Sequence, residues 1–99
     1  MDSMPKSPIT KIRNKAGISQ KALARAIDVN TNTLSRLETA ENDAEEYREV
    51  FESIAELTDL DVDTLIEKQK EFKREKRRKE IEETRNKLKN MDMSDEFSN

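Results

Sequence analysis

Between Ile9 and Leu37 the apolar residues recur at intervals of three and four, and each short run is bounded by a residue that caps or stops a helix. Ile9 and Ile12 form one stripe, Leu23, Ala24 and Ile27 a second, and Leu34 and Leu37 a third. That period belongs to helices with one buried face. Ser7 followed by Pro8 is an N-cap with proline in the first turn. Ser19 and Asn30 are further N-caps, and Gly17 is a left-handed terminator. The pattern predicts helices over 8–16, 19–27 and 31–38, with Asp28 and Val29 making a tight connection between the second and third.

Downstream, Asp43 with Glu46 three residues on reads as a capping box. Tyr47, Val50, Phe51, Ile54 and Leu57 then give a fourth helix over about 44–57. Asp61 caps a fifth, starting with Val62, Leu65 and Ile66, and nothing stops it before about residue 90. Its heptad steps, Leu65 to Phe72 and Ile81 to Leu88, are separated by a step of nine, so a regular coiled coil is not supported. The chain has one Gly, one Tyr and no Trp, which favours helices over sheets. Only 32% of its 99 residues are hydrophobic and 41% are charged, so part of it is expected outside the core. The expected organisation is a disordered N-terminus (1–7), a helical domain (8–67), a basic helical extension (68–90) and a disordered acidic tail (91–99).

Charge is segregated along the chain. Residues 1–36 are net +5, residues 37–67 net −11, residues 68–90 net +6 and residues 91–99 net −3. With neither cysteine nor histidine, disulfides, thiolate or zinc sites and histidine-based catalysis have no residues to use. Asp59, Asp61 and Asp63 alternate as calcium ligands do, but the Gly and closing Glu of an EF-hand loop are missing. No metal, no cofactor and no enzymatic activity are expected. No apolar stretch is long enough for a membrane span or a signal peptide, which makes the cytoplasm the expected compartment.

The second and third predicted helices carry a further constraint. Counting from Gln20, a small residue (Ala24) stands fifth, where two helices cross closely. A residue tolerant of positive φ (Asp28) stands ninth, at the turn, and Leu34 and Leu37 stand fifteenth and eighteenth, where they lock the second helix on the first. This is helix-turn-helix spacing. Over about residues 9–67, through "IRNKAGISQKALARAIDVNTNTLSRLE" and the later "LTDLDVDTLI", the chain resembles the Cro and phage-repressor type of helix-turn-helix domain.

The resemblance implies an all-α, five-helix lambda-repressor-like domain, here with an extended C-terminal basic helix, and double-stranded DNA as ligand. It implies that Gln20 holds a phosphate and that Thr31, Asn32 and Arg36 face the major groove, with Thr33 and Ser35 flanking them. Arg13 and Glu38 match a pair that often forms an internal ion pair. The side-chain chemistry agrees: Arg bridges guanine O6 and N7, and Asn bridges adenine N6 and N7. The candidate DNA-binding residues are Ser19, Gln20, Lys21, Asn30, Thr31, Asn32, Thr33, Ser35 and Arg36. Lys11, Lys15 and Arg25 are further phosphate candidates.

Two positions depart from the family pattern. Asp28 replaces the usual Gly at the turn. The segment "TAENDAEE" after the third helix has four acids and no cation, where the family usually has a Gly and often basic residues. The expected function is a sequence-specific regulator, a repressor acting as a homodimer. The alternative is a protein-interaction module, an antitoxin or adaptor, that uses the acidic 41–56 or basic 68–90 segment. Three roles stand open for 68–90: dimerisation, tracking of DNA phosphates, and packing on a partner's acidic segment.

Overall fold

The computed structural model describes residues 4–97. Six helices follow one another, with no strand among the described residues: α1 (Pro8–Ala16), α2 (Gln20–Ala26), α3 (Thr31–Glu38), α4 (Arg48–Thr58), α5 (Val62–Lys89) and α6 (Ser94–Phe97). A single 3-10 turn, Glu45–Tyr47, leads into α4. The first three helices begin where their caps require. Ser7 Oγ accepts from Ile9 N, Ser19 Oγ from Ala22 N and Asn30 Oδ1 from Asn32 N. Each bond satisfies an amide that the helix itself leaves unpaired.

The same three helices end in one way. After α1, Ile18 N donates to Arg13 O and Gly17 N to Asn14 O; after α2, Val29 N donates to Ala24 O and Asp28 N to Arg25 O; after α3, Glu41 N donates to Arg36 O and Ala40 N to Leu37 O. This is the paired-bond C-cap that needs a left-handed residue just past the helix. Gly17 supplies it at φ 70°, Asp28 at 55° and Ala40 at 67°. Gly17 has no Cβ to strain and Asp28 tolerates the conformation, but Ala40 does not adopt it freely.

Ile9, Leu23, Ala24, Ile27, Leu34, Leu37, Val50, Phe51, Ile54, Leu65 and Ile66 make the core, in the faces the sequence spacing indicates. Leu57, expected with them, is exposed. The capping box at Asp43 is not formed: Ala44 takes the N-cap position, makes no side-chain cap bond and is buried. The Asp43 carboxylate instead meets Lys73 Nζ on α5.

The limits of the domain also differ from the sequence reading. Ser7, placed with the N-terminal segment, is fully buried. Gln69 and Phe72, placed in the extension, are buried too. Ser7 Oγ donates to Gln69 Oε1 (2.6 Å), and Gln69 Nε2 donates to Leu37 O (2.7 Å). One side chain thus ties the start of α1 and the end of α3 to α5, and its polar atoms are buried with partners, as burial demands. The heptad step from Leu65 to Phe72 is an intramolecular core stripe. From Glu80 to Asn90 every residue of α5 and its cap is exposed, so the outer third projects from the domain. The tail is not structureless as far as it is described: Asp92 Oδ1 accepts from Ser94 N and Oγ and starts the short α6. Residues 1–3 and 98–99 of the expected disordered ends lie outside the described residues.

Candidate nucleic-acid interface

α3 turns Leu34 and Leu37 into the core, which fixes what its other side presents. At 100° per residue, Asn32 lies opposite the buried pair, Arg36 and Ser35 flank it on either side, and Thr31 and Thr33 stand on the shoulders. Thr31, Asn32 and Arg36 are exposed; Thr33 and Ser35 are half-buried. Among the described residues, none of these five side chains makes a hydrogen bond or ion pair. Donors and acceptors on a rigid helix are therefore left open side by side. Asn30 is spent as the cap of α3, and the Ser19 hydroxyl as the cap of α2. Lys21 is exposed.

Gln20 is half-buried, and its amide Nε2 donates to Glu38 Oε2 (3.0 Å). The resemblance implies a phosphate contact for this residue, whereas here its amide nitrogen faces inward. Glu38 is the centre of a knot beneath α3. Arg13 Nη2 donates to Glu38 Oε1 (2.7 Å), Arg13 Nε to Glu38 Oε2 (3.0 Å) and Thr10 Oγ1 to Glu38 Oε1 (2.6 Å). The side chains of Arg13 and Glu38 are 16% and 6% exposed, so this is the internal ion pair that the resemblance implies. Burial pushes the Glu38 carboxyl up, but the hydrogen bonds from Arg13, Thr10 and Gln20 and the guanidinium charge outweigh it and leave its pKa below the usual carboxylate range. The knot joins α1, α2 and α3 and sets the angle at which α3 is presented.

Two of the four acids in the loop after α3, Asp43 and Glu45, are met by cations from α5. Lys70 Nζ meets Glu45 Oε1 at 2.8 Å, Lys73 Nζ meets Asp43 Oδ1, and Lys76 Nζ donates to Thr39 O at the C-cap of α3. The Glu45 carboxyl is held below its usual range by its hydrogen bond from Lys70. Three lysines at three-residue steps on α5 therefore clasp the end of α3 and the loop behind it. Periodicity gave no sign of these contacts, because they join segments 25 to 37 residues apart; only the opposite charges of the two segments pointed to them. Of the three roles open for 68–90, one is packing on a partner's acidic segment; the acidic segment that Lys70 and Lys73 meet here is the chain's own loop.

No helix of the described residues is long and apolar enough to cross a membrane. Residues 9–45, a little over a third of the chain, match the helix-turn-helix family model. The matched segment lies within the stretch that resembles the Cro and phage-repressor (XRE) type, the described fold around it is all-α, and the match supports a DNA-binding transcription regulator. Neither the curated proteins nor the solved structures contain a significant match to the chain.

Proposed function

We propose that this helix-turn-helix chain is a cytoplasmic transcriptional repressor that binds a specific double-stranded DNA site as a homodimer. The observation that carries the reading is the outer face of α3, where Asn32 and Arg36 stand one turn apart, exposed and without internal partners. In a major groove, Arg36 matches the O6 and N7 acceptors of guanine. Asn32 matches the N6 and N7 edge of adenine. Thr31, Thr33 and Ser35 supply hydroxyls to phosphates and a methyl to thymine. Lys21, exposed at the start of α2, supplies a charge for the backbone.

The clasp of Lys70, Lys73 and Lys76 supports the same reading. Four acids behind the reading helix would repel phosphates. Cations at Asp43, Glu45 and the α3 C-cap offset that repulsion without touching the duplex. Two copies would place their reading helices in successive major grooves, about 34 Å apart, on a near-palindromic site. Selection of bound duplexes from a random pool tests this directly. Two related half-sites about one helical turn apart are expected; an unenriched pool would refute specific binding.

A second reading rests on α4. Its outer side shows Glu49, Glu52 and Glu56 beside exposed Leu57 and Leu60, a mixed acidic and apolar surface suited to a protein partner. On that reading the chain is an antitoxin-like or adaptor module, and duplex binding is absent or unselective.

A further inference from the structure

The outer third of α5 has no cover within the described chain, yet its surface is patterned. The core stripe of α5 is Leu65, Ile66, Gln69 and Phe72. On the opposite side, Arg74, Arg78, Ile81, Arg85 and Leu88 follow one another at steps of four and three, so they share one face. Ile81 is 44% exposed and Leu88 59%. Among the described residues Arg78 and Arg85 make no hydrogen bond or ion pair, and Arg74 reaches only Glu67, at 3.5 Å. Arg74, Arg77, Arg78, Ile81, Glu82 and Arg85 line a shallow concave surface. Just beyond α5 comes the opposite chemistry: Asp92, Asp95, Glu96 and Phe97 are all exposed, and Asp95 and Glu96 have no side-chain partner among the described residues.

We infer that this face pairs α5 with the α5 of a second copy, antiparallel, with Ile81 of each copy against Leu88 of the other. The two-fold axis then falls between residues 84 and 85. The same register carries the acidic 92–96 segment of each copy over the Arg74–Arg78 turn of the other. Both ends gain opposite-charge contacts, and the two apolar steps meet at the centre. Charge decides the orientation. A parallel pair would set Arg74 and Arg78 against their own copies and leave the acidic segments together at one tip, where like charges repel; Arg85 lies beside its own copy in either orientation and does not discriminate. The face points away from the body of the domain, so it is free while α3 is engaged.

The spacing also suits the dimer under Proposed function, which this inference deepens. Lys76 marks the level of the α3 C-cap on α5. In this register the two Lys76 positions lie about 26 Å apart along the helices. The sideways offset of the pair adds to this, giving a separation of the same order as successive major grooves.

The test uses the full chain, whose lack of cysteine makes engineered disulfides clean. In an equimolar mixture of Ile81→Cys and Leu88→Cys chains, the mixed disulfide should dominate on mild oxidation. Dominance of the 81–81 disulfide would overturn the register. By sedimentation, the Asp95→Lys/Glu96→Lys chain should dimerise about tenfold more weakly than the parent, and adding Arg74→Glu/Arg78→Glu should restore the dimer, with helicity unchanged by circular dichroism. A monomeric parent, or a dimer indifferent to both sets of changes, refutes the pairing. Binding to a single half-site duplex separates this from the functional reading. A monomer that binds the half-site overturns the pairing alone; a dimer in the stated register that binds no duplex upholds the pairing and overturns the function.

Discussion

Replacing Gln69 with Leu keeps most of the buried volume and removes two hydrogen bonds at once. The consequences follow from what each lost partner retains. Leu37 O still accepts from Ala40 N, so it loses only its second bond. Ser7 Oγ still accepts from Ile9 N, but its O–H loses its acceptor in a fully buried site. One orphaned hydroxyl and one weakened carbonyl together cost about 2–3 kcal/mol. That is a large fraction of the stability of a domain this size. In urea, with a slope near 1 kcal/mol per M, the midpoint should fall by about 2–3 M. Ser7→Ala alone should cost about 2 kcal/mol, through the lost cap and the buried Gln69 Oε1 left without its donor. The double substitution should cost clearly less than the sum, because neither the orphaned hydroxyl nor the orphaned amide oxygen remains, giving a coupling of at least about 1 kcal/mol in the cycle. Additive effects, or a Gln69→Leu chain as stable as the parent, would show that α5 is not tied to α1 and α3 through this side chain.

Three further outcomes are expected. Ala40→Gly removes a Cβ from a left-handed C-cap and should raise stability by about 0.5–1 kcal/mol in thermal or urea unfolding; a loss would argue against the φ of 67°. Glu38 has a folded-state pKa below its ordinary value of 4.5, so its contribution is fully present above that pH and is lost as pH falls through the folded value; Glu38→Gln should flatten the acid limb of a stability–pH curve and cost about 1–3 kcal/mol at pH 7. Lys73→Glu/Lys76→Glu should weaken duplex binding while leaving base preference unchanged, since these side chains act on the acidic loop; a changed preference in a competition assay would contradict this.

The first three helices were legible because their signals are local. Ser7, Ser19 and Asn30 cap within three residues, Gly17 and Asp28 terminate within two, and the apolar stripes repeat within one turn. What escaped the sequence reading is long-range. Asp43 and Glu46 have capping-box spacing, but Lys73, 30 residues on, takes the Asp43 carboxylate. Gln69 reads as one polar residue in a charged stretch, and only the convergence of Ser7 and Leu37 makes it a core residue. Leu57 keeps the period of α4 yet stays exposed: Ile54 lies nearer the centre of the buried stripe, and Leu57 falls at its edge, two residues before the chain leaves α4 at Asp59. In the candidate site, the outward set of α3 could be read once Leu34 and Leu37 were assigned inward. The inward amide of Gln20 could not, because it depends on where Glu38 sits.

The most direct measurement is equilibrium binding of the chain to its selected duplex across a range of salt concentrations, beside the Arg36→Ala chain. The account predicts that the parent's affinity falls steeply with salt, with a slope near 0.9 per neutralised phosphate. It predicts that Arg36→Ala loses about 1–3 kcal/mol and relaxes preference at one base pair while the salt slope is nearly kept. An Arg36→Ala chain that binds the same site as tightly and as selectively as the parent would contradict the assignment of α3 as the reading helix.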